Sequence, residues 1–259
     1  SMKNHPNLVL MGQDIAEYGG AFKITEGFVE KFGKKRVRNT PLCEAAIVGS
    51  GLGLSINGYK SMVEMQFADF VTEGFNQIIN NLAKTHYRWN QNADVVVRMP
   101  TGAGTGAGPF HSQSNEAWFT KTPGLKIAYP AFPDDAKGLL IQSFEDPNPV
   151  LFFEHKKLYR SLKGNVPEGF YTTPFGKARK VKEGNELTII TYGLGVHIAL
   201  EFAEKNPEIS LEIVDLRTLI PLDTETIYKS VKKCNKVIIL HEDTLTCGFG
   251  AELSALISE

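Results

Sequence analysis

Residues 95–119 read VVVRMPTGAGTGAGPFHSQSNEAWF, and this stretch decides the fold class. The apolar run Val95–Val97 predicts a buried strand, which leads into a loop that contains four glycines. The loop ends on His111, which is followed by two serines and a glutamine. α/β proteins build sites where a strand leaves the sheet into polar, glycine-rich backbone. The stretch therefore predicts an α/β fold with a site on this loop.

The sequence on both sides of this stretch alternates between strand and helix patterns. Apolar strands are predicted at 7–11, 61–66, 125–129 and 150–153, and helical periodicity occurs at 67–87 and 133–144. This order favours a mostly parallel sheet covered by helices. Charges, prolines and glycines interrupt the pattern before residue 187, where a second alternation begins. We therefore predict an α/β domain over 1–165, a linker over 166–186 and a second, incomplete α/β domain over 187–259.

The composition limits the class of function. The formal net charge is −1, with 28 basic and 29 acidic residues that are scattered along the chain, so neither a nucleic acid nor a membrane surface is an expected partner. No apolar run approaches the roughly 18–20 residues that a membrane span needs. The three cysteines lack C-x-x-C spacing, which favours a reducing cytoplasm over a disulfide framework or a zinc site.

A second informative stretch, LCEAAIVGSGLGLSING at 42–58, predicts a buried helix with small residues that allow close packing. Its glycine spacing matches neither the dinucleotide-binding nor the P-loop pattern. Glu44 is anomalous because it opens an otherwise apolar helix. It is either an ordinary acid at a helix N-terminus, worth about 0.3–1 kcal/mol, or a carboxyl held in an apolar pocket to share a proton with a ligand nitrogen.

His111 also has two interpretations. A loop histidine most often bonds a backbone carbonyl, but glycines beside it let backbone approach a ligand, and histidine suits proton transfer near pH 7. The motifs H-E-x-x-H and G-x-S-x-G are absent, which excludes the zinc-protease and α/β-hydrolase signatures. Local chemistry alone leaves both roles of His111 open.

Five motifs in order carry a family resemblance. They are TPLCEAAIVG at 40–49, EMQFADF at 64–70, HSQSNEAWF at 111–119, EDPNP at 145–149 and VDLRTLIPLD at 214–223. Together they closely resemble the β subunit of the thiamine-diphosphate-dependent E1 component of 2-oxoacid dehydrogenase complexes. The QFADF form is most similar to the branched-chain (2-oxoisovalerate) type. The resemblance implies a transketolase-type pyrimidine-binding domain followed by a truncated transketolase C-terminal-like domain.

The resemblance also implies roles for particular residues. Glu44 matches the glutamate that bonds the N1′ nitrogen of the aminopyrimidine and so activates the cofactor. Leu42, Gln66 and Phe70 match residues that line the pyrimidine. His111 matches a histidine that faces the 2-oxoacid substrate and the incoming lipoyl group of E2. A potassium site with mostly backbone ligands is expected at Ala93, Val95, Val96, Ser143, Asp146 and Asn148.

The partners follow from the same resemblance. This chain has no G-D-G…N segment for the diphosphate and Mg²⁺, which in the family come from an E1 α subunit or a fused α region. A second β copy and the lipoyl domain of E2 complete the expected assembly, a heterotetramer that acts in the cytoplasm. The alternatives are a pyruvate or acetoin dehydrogenase E1 β subunit, or a non-catalytic assembly module of the same fold.

Overall fold

Two sheets organise the chain, in a computed structural model that describes residues 1–259. The larger sheet has seven strands in the order β10-β5-β6-β4-β3-β1-β2. Its strands are β1 (Leu8–Gly12), β2 (Val37–Asn39), β3 (Lys60–Glu64), β4 (Val95–Thr101), β5 (Lys126–Ala128), β6 (Val150–His155) and β10 (Thr218–Ile220). All pairings are parallel except β10 with β5. The predicted parallel α/β sheet is therefore confirmed.

Helices cover both faces of this sheet. They are α1 (Phe28–Phe32), α2 (Glu44–Ile56), α3 (Ala83–Trp89), α4 (Ala117–Thr120), α5 (Pro133–Glu145) and α6 (Leu158–Ser161). α5 begins on a proline with Asp134 and Asp135 in its first turn, where both residue types stabilise a helix start. The buried apolar side chains of β4, Val95 and Val97, pack under α2, whereas Val96 belongs to the opposite core.

The helix predicted over 67–87 is broken into parts. Residues Ala68–Gly74 form a 3₁₀ helix, Gln77–Leu82 are π-helical, and only α3 is regular. Gly74 lies against α2 so closely that a Cβ would sit 3.3 Å from Val48 Cγ2. This close approach packs the 3₁₀ segment on α2, and the Asp69 carboxylate of the segment accepts from the Gln113 backbone amide at 2.9 Å.

The smaller sheet has the order β11-β8-β9-β7. Its strands are β7 (Arg179–Lys182), β8 (Leu187–Thr191), β9 (Leu211–Asp215) and β11 (Val237–Ile239), and its helices are α7 (Leu194–Lys205), α8 (Thr224–Cys234) and α9 (Phe249–Ser258). β7 pairs antiparallel with β9, although it lies inside the predicted linker at 166–186. Part of that segment thus belongs to the second sheet. The sequence predicts a linker there because a charged strand at a solvated edge has the composition of a linker.

One strand connects the two units. β10 follows β9 directly in sequence, yet it pairs with β5 at the edge of the larger sheet. The backbone amide of Tyr129 also donates to the Arg217 carbonyl at 2.8 Å. None of the helices combines the length and the apolar character needed to cross a membrane.

Candidate active site at the carboxyl edge of the larger sheet

The predicted site residues lie at the edge where the parallel strands end. β1, β3, β4 and β6 run in the same direction, so the segments after them meet at one edge. Gln13 follows β1, Gln66 follows β3, the glycine-rich loop follows β4, and Lys156 follows β6. The glycine-rich loop, residues 102–108, therefore leaves the sheet at the edge where α/β proteins build sites.

Glu44 is the first residue of α2 and is only 7% exposed. Its Oε1 accepts a hydrogen bond from Gln13 Nε2 at 2.8 Å. Its other oxygen, Oε2, has no hydrogen-bond partner within the chain and retains some access to solvent.

Phe67, Phe70 and His111 form an aromatic wall beside α2. The His111 ring lies edge-on to Phe67 and Phe70, with centroids 4.7 and 5.4 Å apart, respectively. The 3₁₀ helix that carries Phe70 packs on α2, since a Cβ at Gly74 would lie 3.5 Å from the Glu44 carbonyl oxygen. The fold thus brings Glu44, Phe70 and His111 into one region.

Two predicted residues are less enclosed. Leu42 is 79% exposed, so in the isolated chain most of its surface faces solvent. Gln66 is half-buried, and its side-chain amide makes no hydrogen bond within the chain. Both lie next to the same edge, because Leu42 precedes Glu44 by two residues and Gln66 follows β3.

Several buried polar atoms near this edge have no hydrogen-bond partner in the chain. They are Gln13 Oε1, Asp69 Oδ2, His111 Nδ1, Ser114 Oγ, Asn115 Oδ1 and Lys156 Nζ. Buried polar groups in native proteins are nearly always paired, so a concentration of unpaired ones marks a place where another molecule supplies partners. We call Gln13, Glu44, Phe70 and His111 the Glu44 site.

The ionic residues that tie the loop to the second unit are not among the predicted site residues. Glu242, just after β11, accepts from the Ala103 backbone amide at 2.7 Å and contacts His155 Nε2 at 2.6 Å. Burial alone would raise the pKa of Glu242, but these two hydrogen bonds lower it below its usual value. Burial lowers the pKa of Lys156, and the Asp69 and Glu242 carboxylates oppose that effect. Only the fold places residue 242 beside residue 103, and no local motif signals this.

Glu116 is a second buried acid at the junction of the two units. Its Oε1 accepts from the Tyr192 hydroxyl at 2.8 Å, while its Oε2 has no partner. Burial raises the pKa of Glu116 to about 7, and the nearby carboxylates of Asp243 and Glu242 add to the increase. Glu116 lies in the motif that follows His111, but no local pattern indicates that it is buried.

An ionic cluster in which no sealed polar atom lacks a partner lies at the same edge. Arg98 Nη1 donates to Glu64, its Nε contacts Glu154 Oε2 at 2.5 Å, and its Nη2 donates to the Tyr159 hydroxyl at 2.7 Å. Tyr159 in turn donates to Glu154 at 2.8 Å. Burial raises the pKa of Glu64, although the Arg98 guanidinium counteracts that increase. We call these four residues the Arg98 cluster.

A large cavity lies beyond Arg98, and its lining includes none of the four residues of the Glu44 site. It has a volume of about 710 Å³ between α1 and α5, and Phe28, Phe144 and Arg98 are among its lining residues. None of the predicted cofactor-binding residues lines it. Volume alone therefore does not locate the chemistry in this chain.

The residues of the expected potassium site lie at the opposite edge of the sheet, where β4 and β6 begin. The Ala93 amide donates to the Pro147 carbonyl at 3.2 Å, which brings the two segments together. The Asp146 carboxylate is engaged by the Lys126 ammonium and by the Asn148 amide. The Ser143 hydroxyl donates to the Leu139 carbonyl. Backbone oxygens are what this region could offer a cation, and the potassium site stays a prediction.

Comparison with known proteins identifies the family. The family "Transketolase, pyrimidine binding domain" matches residues 1–161, and "Transketolase, C-terminal domain" matches residues 176–259. The 2-oxoisovalerate dehydrogenase subunit beta of Bacillus subtilis (strain 168) is 47% identical over 262 residues, which cover 100% of this chain and 80% of that protein. The chain belongs to the 2-oxoacid dehydrogenase β-subunit family. The resemblance carried by the five motifs is thereby confirmed.

Another relative and a solved structure support this family and this fold. The pyruvate dehydrogenase E1 component subunit beta of Staphylococcus aureus (strain Mu50 / ATCC 700699) is 40% identical over 262 residues, covering 100% of this chain and 81% of that protein. A solved structure described as "Split gene transketolase, inactive beta4 tetramer" has a TM-score of 0.80 and 23% identity, covering 99% of this chain and 79% of that one. At that identity the likeness shows the fold alone, and it confirms the transketolase-type architecture.

The family implies thiamine diphosphate, and the β-subunit residues fit its aminopyrimidine half. The ring carries both hydrogen-bond donors and acceptors on a flat apolar body. The Glu44 site offers a carboxylate oxygen without a partner, an aromatic wall at Phe67 and Phe70, and an unpaired amide oxygen on Gln13. The oxygens can accept hydrogen bonds from the donors of the ring, and the aromatic wall suits its flat apolar body.

Proposed function

We propose that this chain is the β part of a 2-oxoacid dehydrogenase E1 that decarboxylates a branched-chain 2-oxoacid and transfers the acyl group to the lipoyl group of E2. The observation that carries this proposal is Glu44, a buried carboxylate at a helix start with one oxygen free, next to Phe70 and His111. The 47% identity to a 2-oxoisovalerate dehydrogenase subunit beta supports the choice of substrate class. The complete activity requires an α half.

Glu44 acts on the cofactor by holding a proton between its free oxygen and a ring nitrogen. When bound, thiamine diphosphate supplies a carbon nucleophile that attacks the 2-oxoacid carbonyl and allows carbon dioxide to leave. Phe70 packs against the pyrimidine, and Gln66 and Leu42 close its rim. The 79% exposure of Leu42 supports a role at a surface that another chain covers.

His111 works on the substrate side of the site. Its ring is fixed edge-on by Phe67 and Phe70, and its Nδ1 has no partner within the chain. In this position it binds the substrate carboxylate or gives a proton to the lipoyl sulfur as the acyl group is transferred. The unpaired Nδ1 supports this role over a purely structural one.

The remaining parts of the proposal concern ions, assembly and location. The E1 α subunit, or a fused α region, holds the diphosphate with Mg²⁺. A potassium ion bound by backbone oxygens near Ala93 and Asn148 supports the start of β4. Two β copies and two α copies form a heterotetramer. The cytoplasm is the proposed location, supported by three cysteines that are all free.

Reconstitution tests the proposal. The chain is combined with its α subunit, or expressed with its fused α region, and thiamine diphosphate binding is measured by calorimetry. We expect binding and 2-oxoisovalerate-dependent acylation of a lipoyl domain, both dependent on the α half. Absence of cofactor binding in the assembled protein would instead identify a non-catalytic assembly module.

A second candidate is a pyruvate or acetoin dehydrogenase E1 β subunit. The 40% identity to a pyruvate dehydrogenase E1 component subunit beta favours keeping it. The assembled enzyme decides between the candidates when kcat/KM is compared for 2-oxoisovalerate, pyruvate and acetoin. A higher value for pyruvate or acetoin would replace the branched-chain assignment and leave the role of Glu44 intact.

A further inference from the structure

Gln13 is placed beside Glu44 by the way β1 ends. Gly12 pairs with Asn39 of β2 on one side and with Glu64 of β3 on the other, so the next residue leaves the middle of three strands. Asp14 then turns the chain with a φ of 57°, a left-handed conformation that aspartate tolerates better than most residues. The chain therefore turns immediately after Gln13, a residue that is only 4% exposed.

The direction of the hydrogen bond between Gln13 and Glu44 is fixed. A carboxylate only accepts hydrogen bonds, so the amide must present its Nε2, which donates to Glu44 Oε1 at 2.8 Å. Both side chains are buried, and bonds between a neutral donor and a buried charge are among the stronger ones in proteins. The amide oxygen of Gln13 is sealed from solvent without a partner.

An amide differs from a carboxyl group in one decisive property. It neither gains nor loses a proton near neutral pH, so it can orient a neighbour but cannot pass a proton to it. Oε1 of Glu44 is therefore committed to a permanent donor. Only Oε2 remains free to bind and release a proton.

We propose that Gln13 is the positioning residue for Glu44: its amide holds Oε1 and directs Oε2 alone toward the ring nitrogen of the aminopyrimidine. This inference rests on the proposed function. Glu44 then takes and returns its proton through one oxygen, on the cofactor side. Residue 13 supplies no second route for that proton.

The test uses the assembled enzyme with Gln13→Met, which keeps the length of the side chain and removes the N–H donor. The matched control is Gln142→Met on α5, where a half-buried glutamine makes no side-chain hydrogen bond. Three quantities are measured: exchange of the C2 proton of bound thiamine diphosphate by NMR, the Kd of the cofactor by calorimetry, and KM for the 2-oxoacid.

We expect C2 exchange to slow by about tenfold to a hundredfold in Gln13→Met, the range that corresponds to losing one hydrogen bond to a charged group. The Kd of thiamine diphosphate rises by a smaller factor, because the diphosphate is anchored outside this chain. KM for the 2-oxoacid and all values for Gln142→Met stay close to wild type. A residue that merely supported the fold would shift thermal unfolding and leave C2 exchange unchanged.

A second variant, Gln13→Asn, keeps the inference testable if Gln13→Met does not fold. Gln13→Asn retains the amide but is one methylene shorter, so it cannot reach Glu44 from the same backbone position, and we expect C2 exchange to slow as well. Exchange at the wild-type rate in folded Gln13→Met or Gln13→Asn would overturn the inference. If wild type itself binds no cofactor, or Glu44→Gln is fully active, the proposed function fails and this inference fails with it. Loss of activity in Glu44→Gln with normal exchange in both Gln13 variants would overturn the role of Gln13 alone.

Discussion

The Glu44 site and the Arg98 cluster are two buried polar groups at one edge of the same sheet, and they differ in how completely they are paired. In the Arg98 cluster the guanidinium bonds two carboxylates and a phenol, and no polar atom of the four residues is sealed from solvent without a partner. In the Glu44 site the Gln13 amide oxygen and His111 Nδ1 are sealed from solvent without a partner within the chain. A polar group that is complete in itself serves the fold, whereas an incomplete one is built for a partner.

Glu44→Gln gives the sharpest test of this difference. Glutamine keeps the shape of the side chain but cannot exchange a proton, so decarboxylation by the assembled enzyme should fall by about 10²–10⁴-fold while thermal unfolding stays near wild type. Glu208→Gln, at an exposed position before β9, is the control and should be fully active. Near-normal turnover in Glu44→Gln would place this carboxylate with the structural residues.

Arg98→Met should show the reverse behaviour. It leaves Glu64 and Glu154 buried without their cation, which should lower the free energy of unfolding by about 3–5 kcal/mol, measured by urea denaturation. The triple variant Arg98→Met, Glu64→Gln, Glu154→Gln removes the charges together and should recover much of this loss. A single variant as stable as wild type would contradict a structural role for the cluster.

Glu116 has a buried oxygen without a partner, and its protonation should make the stability of the folded state depend on pH. Because burial raises its pKa from 4.5 to about 7, the protonated form stabilises the folded state fully below about pH 4.5, and this stability is lost as the pH rises through 7. The loss amounts to up to about 3 kcal/mol. Between pH 5 and pH 7.5, the Tm of Glu116→Gln should therefore fall less than that of wild type.

Asp215 is the matched case, because burial also raises its pKa to about 7. The variant Asp215→Asn should reduce the same pH dependence from a position away from the Glu44 site. Parallel Tm curves for wild type and both variants would show that neither acid is protonated in the folded protein at neutral pH.

His111→Ala should have the smallest of these effects. The histidine is half-buried on a 3₁₀ turn, and its loss removes one polar contact from the substrate side. We expect lipoyl acylation to slow by about tenfold to a hundredfold, while decarboxylation with an artificial electron acceptor is largely retained. An unchanged rate of acylation would leave His111 a structural residue despite its unpaired Nδ1.

The features that sequence predicts correctly are those encoded by neighbouring residues. The alternation around Val95–Val97 predicts the parallel sheet, and the apolar pattern after Glu44 predicts the helix that this carboxylate begins. These signals are local because hydrophobic periodicity and helix starts depend on residues a few positions apart.

The parts that sequence misses depend on distant contacts. β7 is short, charged and antiparallel, and only β9, some thirty residues later, shows that it is a strand. Gln13 is an ordinary polar residue after a strand until the fold brings Glu44 to it. The helix predicted over 67–87 is instead divided into a 3₁₀ segment, a π segment and α3, and the first of these packs on α2 through Gly74, a contact that periodicity does not encode.

The pairing of β10 with β5 has a consequence for synthesis. Strands β1 to β6 are complete once residue 155 has been made, but the β5 edge of their sheet stays uncovered until residue 220 leaves the ribosome. During that interval the nascent chain exposes a row of unpaired backbone groups, which can capture a neighbouring chain. The early smaller-sheet strands β7, β8 and β9 are made in the same interval. The larger sheet is thus completed only after most strands of the smaller sheet have been made. Slow translation between residues 155 and 220 would lengthen the period in which the nascent chain is prone to aggregate.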